Sequence, residues 1–166
     1  ICRENVDGTL AFHGRQFFCP AGQVNELATI AFGPRNESIK QMLADPSKFH
    51  PQTLWSIGIL FYILMTFTCG RVIPSGIFTP AVLIGASLGG AAGLAFEEMW
   101  GSAVRPSIFA LLGVAAMLAG IQRSTVSICV ILVEGTGEIK VLLPVIIVVL
   151  VARHVAERIH TNGLYD

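Results

Sequence analysis

Residues 70–80 read Gly70-Arg71-Val72-Ile73-Pro74-Ser75-Gly76-Ile77-Phe78-Thr79-Pro80, and residue types at this spacing suit one kind of chemistry, the holding of an anion by backbone groups. Pro74 cannot continue a preceding helix, and Gly76 lets backbone approach a ligand because it has no Cβ to clash. A helix starting at Gly76 or Ile77 leaves the amides of Ile77 and Phe78 unpaired at the gap, backed by a macrodipole equivalent to about half a positive charge. Anions bind such ends. No Lys or Arg lies between Val72 and Phe96, so the attraction comes from dipoles. That suits conduction, which needs a site favourable enough to enter and weak enough to leave. The Pro74, Ser75 and Pro80 break also fits a plain bend in a helix, and the residue types alone leave both readings open.

The rest of the chain offers no competing chemistry: no nucleophile–base pair, metal-ligand spacing or phosphate loop is present, so an enzyme is not expected and no cofactor is implied. Net charge is zero, which gives no reason to expect nucleic acid as a partner. Arg123 stands between two apolar segments, where a charge is a functional candidate. It also falls at a predicted helix junction, where an arginine can bind terminal carbonyls or snorkel to water, and that structural role is the preferred reading. Cys2 and Cys19 would close a loop of about 17 residues as a disulfide in an oxidising compartment; in cytosol they would be two thiols. Cys69 and Cys129 sit in apolar windows as small core residues.

The elements that must position the break are apolar. The chain is 53% hydrophobic and 13% charged, with a mean hydropathy of +0.68. Residues 51–70 and 72–96 carry no Asp, Glu, Lys or Arg, nor do 106–122 and 141–152. About 20 apolar residues cross a bilayer core, so the first two windows are long enough and the others are short, as in tilted or broken helices. A soluble all-α protein with a large core is the competing class. Non-helical backbone at membrane depth survives only where it is buried or lines a cavity, and that makes the break a candidate site.

Along the chain, residues 1–24 read as an extramembrane loop with Gly8, Gly14, Pro20 and Gly22. Helices are predicted at about 25–43, 53–69, 77–96, 107–119, 124–134 and 138–160, the first of them amphipathic, interfacial and capped by Asn25 or a neighbour. Gly120 to Arg123 interrupts the apolar run after Pro106. Ala81, Gly85, Gly89 and Gly93 recur every four residues, a small-residue stripe that lets helix backbones approach in lipid. The start at Ile1 and the stop at Asp166 read as a segment of a longer chain.

Gly76-Ile77-Phe78-Thr79-Pro80, with the small-residue helix behind it, resembles the G-x-F-x-P motif of the CLC family of chloride channels and proton-coupled anion exchangers. Asn25-Glu26-Leu27-Ala28 is similar to the family's short segment before the interfacial helix. Gly120-Ile121-Gln122-Arg123-Ser124-Thr125-Val126-Ser127 resembles its Gly-x-x-Arg-Met-Thr-x-Ser junction, with Ser124 where methionine is usual. Gly163-Leu164-Tyr165-Asp166 resembles its Gly-hydrophobic-Tyr-Asp ending. The Cys-Pro-x-Gly run at 19–22 is similar to the plant-type intracellular branch.

The resemblance implies an all-α membrane protein of tilted and broken helices, the second inverted-repeat half of a CLC-type transmembrane domain over residues 25–166. It implies a multi-pass protein of an endomembrane, embedded in the lipid bilayer. The transported ligand would be chloride or nitrate, moved by a voltage-gated channel or a chloride (nitrate)/proton antiporter. The anion would be held at Gly76, by the amides of Ile77 and Phe78 and by the hydroxyl of Tyr165, which donates a hydrogen bond without a full charge. A homodimer is implied too, formed partly through the helices at Ser124–Glu134 and Glu138–His160. The alternative is an unrelated broken-helix secondary transporter for a small anionic metabolite, and a third reading is a non-transporting membrane scaffold.

Overall fold

The computed structural model describes residues 2–4, 18–19, 23–69, 76–101, 105–137 and 139–159. The N-terminal residues expected to form only a loop include two short strands, β1 (Cys2–Glu4) and β2 (Gln23–Asn25). These pair antiparallel, with Cys2 opposite Asn25 and Glu4 opposite Gln23. Three-residue strands carry too little alternation to stand out in a sequence, which is why the ribbon is absent from the expectation.

The single helix expected at 25–43 is two helices, α1 (Glu26–Phe32) and α2 (Arg35–Ala44). Pro34 breaks it, because proline forces the residue before it out of the helical region, and Gly33 accordingly sits extended at φ −80°, ψ 173°. Asn25 caps α1 as expected, its side-chain oxygen accepting from the Ala28 N–H at 3.3 Å. A 3-10 turn at Pro46–Lys48 leads to α3 (Pro51–Thr68), which opens on proline, tolerated there because the first N–H of a helix is unpaired anyway. Glu26 ties the two regions together. It is buried, and its Oε2 accepts the backbone N–H of His50, the residue before α3, at 3.3 Å.

Beyond the break runs α4 (Phe78–Trp100), stopped by Gly101 at φ 79°. Next comes α5 (Pro106–Gln122). It continues through Gly120, where an interruption was expected, and ends at Arg123, which holds a left-handed conformation and donates its N–H to the Ala119 carbonyl at 3.0 Å. Then follow α6 (Thr125–Thr136) and, after a 3-10 turn at Ile139–Val141, α7 (Leu142–Ile159). The last helix begins later than the predicted 138, since Pro144 has no N–H and is tolerated only in a first turn.

Helices α3 and α4 are long and apolar enough to cross a bilayer, and α5 and α6 are shorter apolar helices. The apolar window of α4 is 56% buried against 22% for α3, which puts α4 at the centre and α3 on the outside. The small-residue stripe explains that position. A Cβ on Gly85 would stand 2.7 Å from the Val114 Cα, and one on Gly93 would stand 2.8 Å from the Phe109 Cβ, while Gly89 lies against the Phe109 carbonyl and Gly113. Rising numbers on α4 meet falling numbers on α5, so the two are antiparallel in backbone contact. The stripe's expected role in helix packing is thus met on α5, with Gly113 as the partner glycine. Around this pair the core gathers Leu54 and Ile57 of α3, Leu118 of α5, Ile128 of α6 and Val145 and Val149 of α7.

Candidate anion site

The helix that follows the break starts one residue later than Ile77. Ile77 precedes the first turn of α4 with φ −79°, ψ −23° and no side-chain cap, and its carbonyl accepts the Ala81 N–H at 3.1 Å. Helical bonding therefore begins at Ala81, Pro80 contributes no N–H, and the amides of Ile77, Phe78 and Thr79 are left unpaired among the described residues. Behind them stand 23 residues of α4, about 35 Å of aligned peptide dipoles.

These amides stand at a cleft of about 340 Å³ between the end of α3 and the start of α4. Phe61, Leu64, Met65 and Thr68 of α3 wall one side with Cys69, and Gly76, Ile77 and Pro80 wall the other. Among the described residues, no charged one lines it. Thr68 donates its hydroxyl to the Leu64 carbonyl at 2.7 Å, so that proton is already used within α3. Among the described residues, the N–H groups of the α4 N-terminus are then the strong donors the cleft has to offer, in an otherwise apolar wall where a hydrogen bond to an anion is strengthened by low dielectric.

Of the residues singled out by sequence, the structure brings Gly76, Ile77 and Pro80 to the cleft, with the Phe78 amide in the first turn of α4 and its ring exposed. Pro74, Ser75 and Tyr165 lie outside the described residues. Gly76 is exposed, and a Cβ placed on it would meet no heavy atom within 4 Å. Two features escaped the sequence reading: the Thr79 amide as a third donor, and the wall supplied by α3. A signal for the wall existed. Only six residues separate Cys69 from Gly76, and short connections make antiparallel neighbours. Elsewhere, Cys19 is disulfide-bonded, whereas Cys69 and Cys129 are free.

Comparison with known proteins gives the same direction. The profile of a family described as voltage gated chloride channel matches residues 11–157. The chain is 34% identical over 172 residues to chloride channel protein CLC-b of Arabidopsis thaliana, covering 99% of this chain and 22% of that protein. It is 33% identical over 168 residues to H(+)/Cl(-) exchange transporter 7 of Homo sapiens, with coverage of 99% and 21%. With chloride channel protein CLC-c of Arabidopsis thaliana it shares 35% identity over 154 residues, with coverage of 92% and 19%. The chain thus spans about a fifth of the length of these relatives.

Proposed function

Since the chain belongs to the voltage gated chloride channel family, we propose that it forms part of a transmembrane anion pathway in which chloride or nitrate is held at the start of α4 and exchanged for protons. One observation carries this reading: a long helix starts with three amides unpaired among the described residues, at an apolar cleft whose described lining holds no cation. Dipoles alone make a site that an anion both enters and leaves. The Tyr165 hydroxyl is proposed as a further donor, on the resemblance of Gly163-Leu164-Tyr165-Asp166 to the family ending. Relatives named as H(+)/Cl(-) exchange transporters support proton coupling, and others named as chloride channel proteins support passive conduction as the alternative.

The test is chloride efflux from liposomes holding the full-length protein that carries this segment, with proton uptake followed by a pH dye. Gly76→Leu, which places a branched side chain in the cleft, is expected to cut efflux at least tenfold, and Tyr165→Ala to uncouple or slow it. Efflux indifferent to both changes would sink the site. Chloride movement without proton movement would instead favour a channel.

Membership also supports an endomembrane location and a homodimer built through α6 and α7. Those helices carry a broad exposed apolar face, with Val126, Val130, Leu143, Ile147 and Leu150 among its members. Cys2 is proposed as the partner of Cys19, because the other two cysteines are free. Such a bond places the β1–β2 end in an oxidising lumen.

A further inference from the structure

A second cavity, of about 430 Å³, opens at the end of the bundle away from the cleft, where α2 ends, α5 begins and α6 ends. Two cations from separate elements line it, Lys40 of α2 and Arg105 at the start of α5, and both are exposed. No acidic residue is among its described lining. Pro106 has no N–H and Arg105 gives α5 no side-chain cap, so the Ser107 amide adds a donor unpaired among the described residues beside the two cations. The remaining wall is apolar, with Leu43, Ile108 and the buried Leu111.

The depth of this cavity is marked independently. At the same end, Phe96 stacks on Trp100 with ring centroids 5.6 Å apart and lies 5.5 Å from Phe109, the neighbour of Ile108. Met99 and Trp100 are exposed beside them. Aromatic clusters at the ends of membrane helices sit at headgroup level. A cavity there with two cations, a helix-start amide and an apolar wall has the two chemistries of a phospholipid side by side. We propose that it binds the phosphate of an anionic phospholipid, with the start of an acyl chain against Leu43, Ile108 and Leu111. A free phosphate would use the cations and leave the apolar wall uncovered, so the lipid is the better fit. This goes beyond the anion pathway and does not depend on it.

The full-length protein in detergent is titrated with short-chain phosphatidylglycerol or phosphatidylcholine, and bound lipid is counted by native mass spectrometry. Phosphatidylglycerol is expected to bind more tightly. Its affinity should fall about fivefold in Lys40→Gln or Arg105→Gln and roughly 25-fold in the double variant, in line with the usual effect of one basic residue at an anionic surface. Arg158→Gln, at the far end of α7, should leave it unchanged. Equal binding of the two lipids overturns the proposal, as does phosphatidylglycerol affinity unmoved by either single change. An equal loss in Arg158→Gln would mean general charge attraction and overturn it too. Displacement of the lipid by an equal concentration of inorganic phosphate would overturn the lipid assignment in favour of a soluble anion.

Discussion

Around Gly76 the described residues leave space for a side chain: no atom lies within 4 Å of where a Cβ would stand, and its φ is not in the left-handed region. Folding does not require glycine there, so a loss on substitution reports on the cleft. Gly76→Ala is expected to leave thermal stability within about 0.5 kcal/mol while lowering anion efflux severalfold; a stability loss in step with the efflux loss would undo that distinction. Asn25 is the opposite case. Its oxygen caps α1 from outside the cleft, and Asn25→Ala should cost about 1 kcal/mol in thermal or denaturant unfolding without altering anion selectivity. Both residues are legible in the sequence, because cap chemistry and the donors at a helix start depend on residue type and a few neighbours. Glu26 is not. Nothing local announces that its carboxylate reaches the N–H of His50, 24 residues along, since that contact exists only once α1 and α3 have packed.

At the scale of elements, two glycines of α5 predict opposite outcomes. A Cβ on Gly113 would stand 2.7 Å from the Gly89 Cα and close upon the Gly85 carbonyl. These are backbone atoms that cannot rotate away, so Gly113→Ala must force α4 and α5 apart, at an expected cost of 1–3 kcal/mol or more. Gly120 faces open space, and Gly120→Ala should instead stabilise α5 by up to about 1 kcal/mol. Thermal midpoints of the two variants decide it; equal shifts would contradict the packing. The sequence shows the stripe of Ala81, Gly85, Gly89 and Gly93 but not its partner, because spacing gives a helix its small face and says nothing of what covers it. Gly120 to Arg123 reads as an interruption in the sequence, yet α5 runs on for two residues beyond Gly120 and stops only at Arg123. Propensity is a weak preference that packing overrides.

Across the whole molecule, long uncharged windows announce membrane helices, but composition does not say which lies inside. α3 and α4 are alike in that respect, yet Ile59, Ile63 and Phe67 of α3 are exposed while Ala81, Ile84 and Ala91 of α4 are fully buried. The thiols offer a test at this scale. Under denaturing, non-reducing conditions a maleimide is expected to label two of the four cysteines of this segment and, after reduction, all four; four labelled at once would exclude the proposed bond between Cys2 and Cys19. The glycine seam between α4 and α5 has a mechanical consequence as well. Side chains between helices act as springs, because rotamers can yield before backbones move, and at Gly85, Gly89 and Gly113 no such spring is present. The two helices then behave as one strut about 35 Å long, and amide hydrogen exchange along them should rise and fall together. A push at one end, where α5 begins at Arg105, would arrive little diminished at the other, where the amides of Ile77 and Phe78 wait.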